Sequence, residues 1–186
     1  GGRVGSGGVW SPDSRYVATV EVKNGQRDIV AVALESGEKT TLTNTAYDEG
    51  SPLWSPNGKF MLFSSNRYGH SFPEFTGKWD IYQCLFQPEQ PEFREDEFEK
   101  LFREKEDDEK DDNREDGDEK DEDKNKKVRI TFTLDNLDEQ TKTITNTLGN
   151  DRSFVLSPKD TSTVYFVSNI DGRTHFWKTS VDREKR

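Results

Sequence analysis

Two stretches of the chain, "VWSPDSRYVATV" at 9–20 and "LWSPNGKFMLFS" at 53–64, place apolar, turn and apolar residues in the same order. A third, weaker copy is "VLSPKDTSTVYFVS" at 155–168. In the first copy, a short apolar start at 8–10 runs into Trp10. Ser11, Pro12 and Asp13 then form a turn, because proline presets the backbone for its second position and Ser and Asp side chains bond nearby amides. Residues 16–22 alternate Tyr, Val, Thr and Val with smaller or polar residues, the period-two pattern of a half-buried strand. "KNGQR" reverses the chain, 28–34 returns, "ESGEK" reverses it again, and 40–43 forms a fourth strand.

The second copy repeats the pattern with Trp54, Ser55, Pro56, Asn57 and Gly58, and predicts strands at 52–54, 59–65 and 78–87. The third keeps Ser157 and Pro158 and predicts strands at 153–156, 163–168 and 173–180. Trp10 and Trp54 stand 44 positions apart. That period, with a fixed turn signature, is the mark of propeller blades. A four-stranded sheet with two apolar faces cannot bury both alone, so such sheets stack. The expectation is an all-β, partial β-propeller of four-stranded antiparallel blades starting near 8, 52 and 153. Trp10 and Trp54 are expected to pack between blades. Three copies fall short of the four or so blades that closure needs, so no closed ring is expected.

Between the second and third copies the spacing is 102 positions, from Ser55 to Ser157, so about 58 residues are inserted. Most of the insertion, 88–127, is charged. Phe98, Leu101 and Phe102 fall at helical spacing after Pro91, which predicts a docked helix at about 92–106. No apolar residue occurs from 107 to 127, which predicts a mobile, solvated tract. Residues 128–134 and 141–145 then read as a hairpin that restores the blade.

The insertion changes what the composition means. The chain has 186 residues, 37 acidic and 27 basic. Residues 92–127 hold 19 of the acidic and 10 of the basic ones, which leaves 18 and 17 elsewhere. The folded part is therefore nearly neutral. No basic face is present to meet a phosphate backbone, so no nucleic-acid partner is expected. No apolar run approaches the length that spans a bilayer, so no membrane partner is expected. One cysteine, Cys84, excludes an intrachain disulfide and reads as a small buried hydrophobe. The chain opens on "GGRVGSGG" without a start methionine or signal peptide, which reads as a piece of something longer.

Candidate chemistry is sparse. "DNREDGDEKDED" at 112–123 places Asp112, Asp116 and Gly117 as a calcium loop would. Arg114 and Lys120 occupy ligand places, however, and Asp123 stands where a bidentate Glu belongs. His70 and His175 lie in or beside turns, and neither G-x-S-x-G nor H-E-x-x-H occurs. No catalytic residue, metal or cofactor is expected. The long loop "NRYGHSFPEFTGKWD" at 66–80 is aromatic-rich. Arg67, Tyr68, His70, Phe72, Phe75 and Trp79 are the candidates for contacting a partner or peptide at a propeller rim, against packing of the loop on its own blade.

The "W-S-P-D/N-G-K" turn, followed by "DIY" or "FWKT" in a later strand, resembles the repeats of TolB-type and tricorn-type propellers. "SSNRYGHSFPEFTGKWDIYQ", the charged insertion after it and "VRITFTLDNLDEQTKTIT" resemble the corresponding stretches of bacterial tricorn-like serine peptidases, although Gln140 stands where that family usually has Arg. The resemblance implies a non-catalytic propeller segment that guides peptides or supports assembly. Its partners would be further blades, downstream PDZ-like and protease domains, peptide substrates and a possible homo-oligomer. It also implies export to the periplasm. Two other readings stay open: a TolB-like protein-binding module without a peptidase, and the propeller of a prolyl-oligopeptidase-type enzyme.

Overall fold

Strands account for nearly all the regular structure in the computed structural model, which describes residues 3–4, 7–67, 78–88, 128–132, 137 and 139–182. Residues 1–88 with 128–186 form one compact unit, and 89–127 form a second. The expected helix at 92–106 and the tract at 107–127 lie outside the described residues.

Three antiparallel sheets follow the three copies of the repeat. In the first, β3 (Tyr16–Lys23) pairs with β4 (Gln26–Ala33), and β4 with β5 (Lys39–Thr41). Two short strands, β1 (Arg3–Val4) and β2 (Val9–Trp10), share the other edge of β3. This blade therefore begins before residue 8, where the repeat pattern placed its start. The second sheet runs β6 (Glu49–Trp54), β7 (Phe60–Ser65), β8 (Asp80–Leu85) and β9 (Thr141–Thr143). The third runs β10 (Arg152–Leu156), β11 (Thr163–Ser168) and β12 (His175–Ser180), with no fourth strand on β12 among the described residues.

The Ser-Pro turns are built as their residue types dictate. Ser11 N–H donates to the Tyr16 carbonyl at 2.9 Å, and the Ser11 hydroxyl accepts the Tyr16 N–H at 2.9 Å. Ser55 does the same for Phe60, at 2.9 and 3.0 Å. The hydroxyl thus closes the turn that launches the next strand. The fourth turn residue is left-handed in both copies, Ser14 at φ 57° and Gly58 at φ 68°. Glycine suits the second position for a further reason. A Cβ on Gly58 would come within 2.6 Å of Val128 Cγ1. The repeat also extends to an irregularity: Ser51 and Ser153 are both left-handed, each inside the register shift of β6 or β10.

Period-two alternation puts the middle sheet to use on both faces. Met61, Phe63, Tyr82 and Cys84 point with Trp54 into a core shared with Ala18, Ile29, Ala31 and Leu42 of the first sheet. Phe60, Leu62 and Ile81 point the other way, into a core with Phe154, Val164 and Phe166 of the third. Every residue of β7 is buried as a result. Burial of each large side chain contributes about 1.5–3 kcal/mol, so the middle sheet anchors its two neighbours.

Trp54 behaves as the repeat implied. It is 5% exposed, and its indole N–H donates to the Val9 carbonyl of the first sheet at 2.9 Å. Trp10 departs from the expectation at 63% exposed. Trp54 pairs with Met61 on the face turned to the preceding sheet, and Trp10 pairs with Val17 on the equivalent face. The described residues contain no sheet before the first, so nothing covers Trp10.

The stretch 128–132 corrects a second expectation, since it is not a strand. Ile130 N–H donates to Asp13 Oδ2 at 2.9 Å, a side-chain acceptor in place of a ladder partner. Val128, Ile130 and Phe132 instead fill the first core. The Phe132 ring meets Tyr16 at 5.0 Å, Phe86 at 5.1 Å and Trp54 at 6.1 Å between centroids. The chain enters the sheet only at Thr141, as β9.

Candidate functional site

Strand direction sorts the connections into two rims. The Ser-Pro turns and the roots of the insertion lie at one. At the other lie 43–49, Asn66 and Arg67, Lys78 and Trp79, 145–151 and the turn after Ser168. Charged and polar side chains are buried at this second rim, where the sheets meet, and it holds the described members of the expected contact loop.

Each junction is wired alike. Thr43 Oγ1 accepts the Ile29 N–H at 2.8 Å, and Thr145 Oγ1 accepts the Ile81 N–H at 2.9 Å. The Thr45 hydroxyl donates to Glu49 at 2.7 Å, and the Thr147 hydroxyl to Asp151 at 2.9 Å. Asn66 Oδ1 accepts the Asp48 N–H at 3.0 Å, and Asn169 Oδ1 the Asn150 N–H at 2.7 Å. The Thr45–Glu49 and Thr147–Asp151 bonds tie the start of one blade to the segment leaving the blade before it, and the other bonds fasten each end of that segment to its own sheet. The sequence does carry their signal, "TLTNT" at 41–45 and "TITNT" at 143–147, each with an acid four residues after its last Thr.

The two junctions differ in charge. Glu49 and Asp151 are both fully buried. Arg67 reaches Glu49 Oε1 from Nη2 at 2.9 Å and from Nε at 3.1 Å. Its guanidinium also lies 5.5 Å from the Phe63 ring centroid and 5.4 Å from that of Tyr82. Ile170 follows Asn169 as Arg67 follows Asn66, so the second junction has an alkyl side chain at that place. Asp80, at the start of β8, is buried near Asp151. Burial first, then the Asp151 charge, pushes its carboxyl up to about 6, against the opposing pull of Thr147, Thr145 and Lys78. Asp28, its counterpart in the first sheet, is also raised, chiefly by burial.

The expected contact residues are thus placed unequally. Arg67 is engaged with Glu49 between the sheets. The Trp79 carbonyl accepts the Asp151 N–H at 2.7 Å, and its own N–H donates to Asn150 Oδ1 at 3.1 Å. Tyr68, His70, Phe72 and Phe75 lie outside the described residues. At the opposite rim burial alone would raise Asp13, yet the Ser11 hydroxyl, the Ile130 and Arg15 amides and the Arg15 charge hold it below the usual carboxylate range. The Ser11 and Ser55 hydroxyls accept backbone amides, and that of Ser11 also donates to Asp13 Oδ1 at 2.6 Å. His175 pairs at the surface with Asp171 at 3.5 Å. Cys84 is a buried free thiol. Among the described residues no group of three or more His, Cys, Asp or Glu side chains converges, and no helix is long and apolar enough to cross a membrane.

Solved structures share this architecture. TolB from Acinetobacter baumannii superposes with a TM-score of 0.56 and 18% identity, over 98% of this chain and 31% of that one. The tricorn protease matches with a TM-score of 0.52 and 14% identity, over 87% of this chain and 14% of that one. The chain has the β-propeller fold of these structures, as a partial propeller. No family model matches it. Among curated proteins, the Tol-Pal system protein TolB of Hydrogenovibrio crunogenus is 41% identical over 68 residues, 37% of this chain and 15% of that protein. The uncharacterized peptidase YuxL of Bacillus subtilis is 37% identical over 54 residues, 28% of this chain and 8% of that protein. The propeller segment therefore spans a small part of the relatives it matches.

Proposed function

We propose that this segment is the non-catalytic propeller portion of a larger tricorn-like serine peptidase, steering peptides or supporting assembly while the reaction takes place elsewhere. The observation that carries the proposal is the state of the outer sheet faces. On the far face of the third sheet, Val155, Tyr165 and Phe176 are exposed, Phe176 by 87%. Trp10 stands exposed on the opposite end face, beyond the first sheet. Aromatic faces of this kind mark interaction surfaces, and further blades of the parent chain would cover both. The tricorn protease fold match and the local similarity to a peptidase support the peptidase parent. A second reading, a TolB-like binding module, has its own support in the broad match to TolB structures.

An active-site-directed fluorophosphonate probe separates the two. The peptidase reading expects the full-length parent to be labelled and to cleave casein-derived peptides, while residues 1–186 alone do neither. A full-length parent that takes no label and cleaves nothing, yet retains a protein partner, would favour the binding module. Labelling of a serine within 1–186 would contradict both.

A further inference from the structure

We propose that a proton takes, at the junction of the second and third sheets, the place that the Arg67 guanidinium takes at the junction of the first and second. Glu49 and Asp151 occupy equivalent positions, each fully buried and each accepting a threonine hydroxyl. Glu49 has a cation against it. At the sequence position that matches Arg67 the third sheet has Ile170, which carries no charge, and Asp151 has Asp80 as its charged neighbour. Asp151 Oδ2 and Ser168 Oγ are buried without a hydrogen-bond partner, as are Glu49 Oε2 and Ser65 Oγ at the first junction, so it is the cation and not the unpaired oxygens that sets the two apart. Thr147 holds both acids, its N–H donating to Asp80 Oδ1 at 3.3 Å and its hydroxyl to Asp151 Oδ1 at 2.9 Å. Two buried carboxylates on one residue cannot both ionise cheaply.

The surrounding groups supply no substitute cation. From the second sheet come Ser65, Asn66 and the exposed Lys78, and from the connecting segment Thr145, Thr147 and Asn150. The third sheet presents Ser168 and Asn169. Its Arg152 and Arg173 are exposed, and its His175 faces Asp171 at the surface. Asn150 also replaces the carboxylate of Asp48, so the proton need neutralise only one of two acids.

The direction of the pH effect follows. The Asp80 carboxyl titrates at about 6 in the folded chain and at the ordinary 3.8 when unfolded. The folded state therefore holds more protons between those values, and the junction weakens as pH rises through that window. The separation corresponds to a factor of about one hundred in proton affinity. The third sheet should thus loosen from the second as the pH rises through the window from 3.8 to about 6.

Amide hydrogen exchange on residues 1–186, normalised for intrinsic rate, tests this between pH 5 and pH 8. Opening of β10 and β11 should increase about tenfold, part of the hundredfold that the linkage allows. Asp80→Asn, which mimics the protonated acid, should abolish the increase, and Asp151→Asn should move it to lower pH. His175→Gln should leave it in place. Carbon-detected titration of the Asp80 carboxyl should give a midpoint near 6. A midpoint below about 4.5, exchange independent of pH, or a pH effect that survives Asp80→Asn would overturn the proposal.

Discussion

Trp54→Ala should destabilise the chain by about 3–5 kcal/mol, the range for truncating a large buried aromatic, whereas Trp10→Ala should change stability by no more than about 0.5 kcal/mol. The same signature residue thus has opposite consequences at its two positions. Trp54 fills the first core, contacts Phe86 at 5.4 Å between centroids and holds the Val9 carbonyl. Trp10 meets solvent over most of its surface. Trp54→Phe should retain much of the packing and lose the hydrogen bond, at a net cost of about 1 kcal/mol for the bond. Urea denaturation of the three variants measures the differences. Equal effects at positions 10 and 54 would mean that Trp10 is covered in solution.

Arg67→Met is the second large effect, expected at about 3–5 kcal/mol because it leaves the buried Glu49 carboxylate without its counter-charge. The alkyl part of Met can still pack against Phe63 and Tyr82, so the loss isolates the charge. Glu49→Gln in the same chain should recover most of the stability, since a neutral amide still accepts from Thr45. Chemical denaturation of the single and double variants gives the coupling directly. A double variant as unstable as Arg67→Met alone would show that the guanidinium acts by packing and not by charge.

These effects show which parts of the fold the sequence carried openly. The Ser-Pro turns, the alternation of β3 and β7 and the Trp-to-Trp period were legible because each depends on neighbours within a few residues. Trp10 was misplaced because burial of a blade face depends on another sheet, which local pattern does not report. Residues 128–134 read as a strand because Val, Ile, Phe and Leu alternate there. The Ile130 amide found Asp13, some 117 positions away, and drew 128–132 into the core as irregular backbone. Arg67 was singled out for its loop, yet its partner Glu49 was not, since a lone Glu before a strand looks like an ordinary surface residue. Only the comparison of "TLTNT" and "TITNT" with the acids beyond them exposes the shared wiring, and with it the missing cation beside Asp151.

Three stacked blades leave two exposed outer faces, Trp10 on one and Tyr165 with Phe176 on the other, and the proposed function gives both to further blades. Structure determination of the full-length parent is its most direct test. The account expects one additional sheet against Trp10 and another against Tyr165 and Phe176, with the three sheets described here kept in the same order. A ring closed by these three sheets alone, with the first packed on the third, would contradict it.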